Sequence, residues 1–254
     1  MKIQAPPNRN FTAGRSVETD SLSALSTLYP PMNSPYQLII FDCDGVLVDS
    51  ERITNEVFVK MLNELGLPLK LEDMFEQFVG HSMEQCMAKI ADMLGHQPPE
   101  NFLAEYRVRT RAVLESKLVV VPGIPEALAQ LKLPYCVASS GDHEKMRTTL
   151  GVTGLWPQFE GRIFSVSDVK APKPAPDVFL HAAATMGFAP EDCVVVEDTP
   201  TGVRAAVAAG MTVLAYAALT PAQRLREAGA HIIFDNMLDL PVLISKGKLL
   251  TATA

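Results

Sequence analysis

Two aspartates, Asp42 and Asp44, stand one residue apart after the apolar run LIIF at 38–41, with Gly45 behind them. The pattern is that of a buried strand that delivers two acids to its C-terminal edge and then turns. In open α/β sheets ligands bind at that edge. Two carboxylates this close repel each other unless a cation lies between them, and a hard divalent ion, Mg²⁺, is the simplest partner. The plainer alternative is a strand that stops at a solvated acidic turn. A second acid pair, Glu197 and Asp198, follows the apolar run CVVV, a poor ending for a core strand unless a cation or a basic group meets it. Ser139, Ser140 and Gly141 form a polar turn after PYCVA, and Lys173 lies between prolines that fix its loop. A turn serine is ordinarily structural and a lysine ordinarily a solvated charge. Here each falls at the end of a predicted strand or just beyond one.

These residues need a frame that brings strand ends together. After Phe41 the apolar spacing turns helical: Ile53, Val57, Met61, Leu62 and Leu65 share a face, and Gly66 closes the element. Helical patterns continue over 71–79, 82–94 and about 99–116, with no strand candidate among them. Strands are then predicted over 134–141, 162–167, 193–198, 211–216 and 231–234, alternating with helices that begin near Pro125, Asp142, Pro176, Pro200 and Pro221. Alternation of this kind predicts an α/β fold, a doubly wound parallel sheet with an all-helical insertion after its first strand. The expected organisation is an N-terminal extension over 1–35, a core made of 36–50 and 118–254, and a helical cap over 51–117.

The stretch DCDGVLVDSE, with the Ser-Ser-Gly turn, KPAPD, and VVVEDTPTG in that order, resembles the haloacid dehalogenase-like superfamily. It is closest in pattern to the branch with a helical cap that includes β-phosphoglucomutase-like and 6-phosphogluconate phosphatase-like proteins. The resemblance spans about residues 36–245 and implies Mg²⁺-dependent phosphoryl transfer. Asp42 is then the expected nucleophile and Asp44 the general acid and base, with its backbone carbonyl rather than its side chain on the metal. Ser139 binds phosphate, with Ser140 and Gly141 adding backbone N–H donors. Lys173 neutralises nucleophile and phosphate, Lys170 being a weaker rival. Asp198 is a metal ligand, and Glu197 ligates directly or from the outer shell. One departure is Pro172, where many relatives have glycine before the lysine.

The same resemblance frames the choice of activity. β-Phosphoglucomutase has a histidine twelve residues after its nucleophile and a cap arginine for the distal phosphate; the matching positions here are Thr54 and Met83. Both differences favour hydrolysis over the mutase, which is the alternative. A catalytically silent binding protein is disfavoured because every required side chain is present. A dehalogenase would need neither the metal nor an acid like Asp44, and a phosphonate hydrolase would want a cap lysine near Gly80 and His81. The expected substrate is a small phosphorylated sugar or sugar acid. His81 and Arg107 are the cap residues expected to meet it; Arg107, Arg109 and Arg111 otherwise read as a solvated basic helix face.

The chain has 254 residues and a formal charge of −7, which gives no global basic field for nucleic acid or an anionic membrane. No apolar run approaches the roughly 20 residues of a membrane span. Cys43, Cys86, Cys136 and Cys193 are scattered and read as buried thiols in a reducing cytosol. His96, His143, His181 and His231 show no paired spacing, so zinc is not expected. Residues 1–35 are polar and proline-containing, with neither the pattern of a signal peptide nor a candidate ligand; Met32 could be the translation start. A monomer or weak dimer in the cytoplasm is expected.

Overall fold

The computed structural model describes residues 34–78 and 83–247. Residues 1–33, nearly all of the expected extension, lie outside that range. So does His81.

Six parallel strands lie in the order β3-β2-β1-β4-β5-β6: β1 (Leu38–Phe41), β2 (Tyr135–Ser139), β3 (Ile163–Ser165), β4 (Cys193–Glu197), β5 (Thr212–Tyr216) and β6 (Ile232–Phe234). β1 is central, with β2 on one side and β4 on the other. Phe41 pairs with Val137 and with Val196, which sets Asp42, Ser139 and Glu197–Asp198 side by side at one sheet edge. The strand order reverses between β1 and β4, the switch point where a crevice opens in such sheets.

β1 and β4 are buried throughout, as parallel strands covered on both faces must be. Their side chains alternate between two cores. Ile39, Phe41, Val194 and Val196 face one, Leu38, Ile40, Cys193 and Val195 the other. The first core is covered by α5 (Ile124–Gln130), α6 (His143–Val152) and α11 (Leu240–Lys246), through Ile124, Met146, Leu150, Leu240 and Ile244. The second is covered by α8 (Asp177–Met186) and α9 (Pro200–Ala208), through Val178, Phe179, Val203 and Ala206. This is the doubly wound parallel sheet predicted from the sequence. α7 (Trp156–Phe159) and α10 (Ala222–Glu227) are short links.

Between β1 and β2 lie α1 (Ser50–Glu64), α2 (Leu71–Gln77), α3 (Met83–Leu94) and α4 (Phe102–Lys117). They share an apolar core of their own, in which the Phe58 ring meets Phe78, Phe102 and Tyr106 edge-on with centroids 6.1, 5.8 and 4.9 Å away. Ile53 and Leu114, on the two long helices α1 and α4, join the first sheet core instead.

Two details differ from the sequence reading. β3 is only three residues long, because Ser165 and Asp168 form a capping box that bends the chain into a 3₁₀ turn at Val166–Asp168. The sequence carries no clear signal for α7 and α11, since each is under two turns or begins beside a proline and offers too few residues for a periodic pattern.

Candidate active site

The site grows from the end of β1. The Asp42 amide still donates to Val196 O (2.9 Å), so the first acid is locked to β4. The chain then turns through Gly45, at φ +76°, whose amide donates to Val48 O (2.9 Å). A Cβ at Gly45 would overlap the Asp198 carboxylate, so both the left-handed backbone and the close approach require glycine. This turn sets the Gly45 backbone against Asp198, with Asp44 one residue before it.

Lys173 enters from the loop after β3. Its ammonium is buried and donates to Asp42 Oδ1 (2.7 Å), Glu197 Oε1 (2.9 Å) and Ala138 O (3.1 Å). Burial favours the neutral amine, but Asp42 and Glu197 overcome it and hold Lys173 charged. Pro172 does not distort this placement: its carbonyl accepts from the Ala175 amide (3.0 Å) to close the turn. Lys170 is exposed.

Of the two roles expected of Glu197, the geometry fits the outer-shell one. Its Oε2 accepts from the Asp198 amide (2.9 Å), the Thr199 amide (2.8 Å) and the Thr199 hydroxyl (2.9 Å), and its Oε1 holds Lys173. Oε2 is saturated and Oε1 faces an ammonium, so this geometry offers no direct metal ligand at Glu197. It is the counter-anion of Lys173 and the anchor of α9. Gly202 is required by the same carboxylate, since any Cβ there would overlap it.

Asp198 is buried, and its Oδ1 has no hydrogen-bond partner among the described residues. Burial raises its pKa well above the usual carboxylate range, and Glu51, Glu197 and Asp42 add to the effect. Asp42 is pushed up to about 7 by burial, against the pull of Lys173. The arrangement leaves the second oxygen of Asp42, the Asp44 carbonyl and Asp198 Oδ1 as donors for a cation. An orphaned buried carboxylate oxygen beside a second raised acid is the environment a divalent cation relieves. Among the described residues no cluster of three or more His, Cys, Asp or Glu side chains is spaced to hold a metal alone. Two carboxylates and a carbonyl suit Mg²⁺, which keeps several waters and binds few protein ligands.

Three residues that sequence reasoning missed complete the site. Ser50 Oγ donates to Asp44 Oδ1 (2.5 Å), and Lys145 Nζ donates to Asp44 Oδ2 (2.6 Å). Burial pushes the Asp44 carboxyl up, but Lys145 and Ser50 outweigh it and hold Asp44 below its ordinary value. Glu51 Oε2 is buried without a hydrogen-bond partner among the described residues, and burial, with Asp44, Asp42 and Glu197 nearby, raises that acid to about 7. Ser50 and Glu51 lie within the quoted VDSE stretch, so a signal was present. Lys145 lies in the first turn of the helix that follows Ser139. Its only signal is that this helix starts at the same sheet edge.

Ser139 is buried and accepts the Gly141 amide on Oγ (3.0 Å), which leaves its O–H to donate. The Gly141 N–H, expected as a phosphate donor, is thus engaged here; Ser140 is exposed. The Ser165 hydroxyl fixes the turn by donating to Gly141 O (2.8 Å). On α4, Arg109 pairs with Glu64 (2.7 Å) and Glu105 (2.8 Å), and Arg111 with Glu115 (3.3 Å) and Glu144. Arg107 lines a cavity with Thr54 and Lys145. Thr54 Oγ1 donates to Glu51 O (2.9 Å), and Met83 is 41% exposed. The described histidines lie elsewhere: His143 pairs with Asp168, His181 packs on Phe164, His231 accepts the Val213 amide, and His96 meets Gln97 O.

An acid at the end of the central strand, held by a buried lysine and facing a second acid across a glycine turn, defines a class. The sequence pattern described as haloacid dehalogenase-like hydrolase matches residues 39–216. The 6-phosphogluconate phosphatase of Escherichia coli (strain K12) is 31% identical over 186 residues, 73% of this chain and 84% of the relative. A conserved haloacid dehalogenase-like protein from Agrobacterium tumefaciens superposes with a TM-score of 0.79 at 36% identity, covering 83% of this chain and 98% of the other. A haloacid dehalogenase family hydrolase from Deinococcus radiodurans R1, solved with bound phosphate and sodium, gives 0.75 at 30% identity, covering 84% and 97%. The chain belongs to the haloacid dehalogenase-like hydrolase family. It is a phosphoric monoester hydrolase of that family.

Proposed function

We propose that the protein is a Mg²⁺-dependent phosphatase of small phosphorylated sugars or sugar acids that works through an aspartyl-phosphate on Asp42. The observation that carries the reading is the buried Lys173–Asp42 contact beside the unpartnered Asp198 oxygen. The phosphate-bound relative from Deinococcus and the E. coli relative named for 6-phosphogluconate support it.

Lys173 holds the Asp42 carboxylate in place, and one of its oxygens attacks phosphorus. The P–O bond to the sugar breaks, and the leaving alkoxide takes a proton from Asp44. Asp44 then removes a proton from water as that water attacks the phosphoryl group, which releases inorganic phosphate and restores Asp42. The Ser139 hydroxyl and Lys173 meet the phosphoryl oxygens. Asp42, the Asp44 carbonyl and Asp198 would hold Mg²⁺, which when bound neutralises charge on the transferring group. To act as an acid, Asp44 must give up its bond to Lys145, so this contact belongs to the resting enzyme.

The mutase alternative requires a distal-phosphate clamp and a proton switch. Thr54 is tied to the Glu51 carbonyl and Met83 is exposed, so neither supplies one. The test is release of inorganic phosphate from an aryl phosphate and from hexose phosphates, with and without chelator, for the native protein and for Asp42→Asn. Chelation and the substitution should each abolish release. Retained activity in either would sink the mechanism. Primer-dependent conversion of β-glucose 1-phosphate to glucose 6-phosphate, with little free phosphate, would favour the mutase.

A further inference from the structure

The cavity beside Asp44 has a charge pattern that phosphoryl chemistry alone does not need. It measures about 380 Å³ and is walled by α1, α4 and α6, within the roughly 300–1,000 Å³ range of small-molecule sites. Three cations line it: Arg107, Arg111 and Lys145. Its two acids are already engaged. Asp142 caps α6 by accepting the Lys145 amide (2.7 Å), and Glu144 is gripped by Arg111. Arg107 makes no ion pair or hydrogen bond among the described residues, unlike its neighbours Arg109 and Arg111. Lys145 turns its ammonium toward Asp44. Deeper in the wall, Thr110 is only 9% exposed, and its Oγ1 makes no well-formed hydrogen bond, although the Tyr106 hydroxyl lies near it. The exposed Arg107, without a partner among the described residues, and the Lys145 side chain thus line one space, and the Lys145 ammonium joins that space to Asp44, the acid of the proposed reaction.

Resting on the phosphatase reading above, the geometry points to a subsite for a leaving group that carries a carboxylate on a hydroxylated chain. Arg107 grips the carboxylate through its planar fork. Lys145 turns from Asp44 to the same anion or its neighbouring hydroxyl. The preferred substrates are sugar-acid phosphates, over sugar-alcohol phosphates of the same length.

The test compares 6-phosphogluconate with glucitol 6-phosphate, which differ only in a carboxylate against a hydroxymethyl group. In the native protein with Mg²⁺, kcat/KM should favour the acid by about tenfold to a hundredfold, the range of a charge-assisted hydrogen bond. Arg107→Gln should bring the ratio to within about threefold of unity, and Arg107→Lys should restore part of it, because a point charge remains without the fork. Binding to Asp42→Asn, measured by calorimetry, gives a readout free of turnover: adding Arg107→Gln should weaken the acid at least tenfold and the polyol little. An unchanged ratio in Arg107→Gln, or no preference in the native protein that still hydrolyses both, would overturn the subsite and leave the phosphatase standing. Failure to hydrolyse any phosphate monoester, the aryl ester included, would overturn the phosphatase. The calorimetric comparison would then still decide the subsite.

Discussion

Asp42 and Asp44 are the same residue type two positions apart, yet their surroundings drive them in opposite directions. Asp42 is raised to about 7 by burial despite Lys173, whereas Asp44 is held low by Lys145 and Ser50 against its burial. This order is the reverse of what the proposed roles need: a divalent cation at Asp42 and the turning of Lys145 away from Asp44 would invert it, leaving Asp42 ionised to attack and Asp44 able to carry the proton. Asp44→Asn keeps the backbone carbonyl for the metal and removes the proton donor. The expected loss in kcat is about 10²–10⁴ for alkyl phosphates, the usual worth of general acid–base assistance. It should be clearly smaller for aryl phosphates, whose leaving groups need less protonation. Equal losses for both ester types would argue against an acid role.

The elements matter because they aim these side chains. α9 begins where β4 ends, and Thr199 caps it by accepting the Gly202 amide (3.1 Å) while its own hydroxyl donates to Glu197. Glu197 therefore ties three things together: the end of the strand, the start of the helix and Lys173. Gly202→Ala would drive a methyl group into that carboxylate. Overpacking at a buried site costs about 1–3 kcal/mol, and here it should also displace Lys173 from Asp42. The expected result is a lower denaturation midpoint together with a fall in kcat. A variant with native kcat would show that Glu197 does not position Lys173.

At the scale of the molecule, the buried acids around Asp42 should make stability depend on pH and, if the proposed Mg²⁺ binds, on metal. Asp42 and Glu51 are raised to about 7, from ordinary values of 3.8 and 4.5, and Asp198 is raised as well. Between the unfolded and folded values the native state binds more protons than the unfolded state, so stability falls as pH rises through that window. The metal-free protein should lose thermal stability steadily between about pH 4.5 and pH 7.5 from this source. Mg²⁺ should restore most of the loss at the alkaline end, because it binds only the folded site. Calorimetric scans across that range with chelator and with Mg²⁺ measure both. A metal-free melting temperature that rises from pH 5 to 7.5 would contradict this account. No helix among the described residues is long and apolar enough to cross a membrane.

The sequence by itself determined the parallel sheet, and it singled out Asp42, Asp44, Ser139, Lys173 and Asp198 as candidates for the site. Buried parallel strands must be apolar along their whole length, so an acid at the end of such a run stands out, as do glycine and proline at turns. Only the tertiary structure could settle the direction each side chain takes. Lys173 and Lys170 are alike in sequence, and only the folded loop carries one of them to Asp42. Glu197 and Asp198 are adjacent acids at a strand end, and alternation sends the first back to Lys173 and α9 while the second turns to the Gly45 turn. Lys145 meets Asp44 across 101 positions of chain, and Arg107 lines the cavity beside Lys145 from a different helix. Such meetings leave no periodic trace, because a packed cleft is assembled by contacts between elements rather than within them.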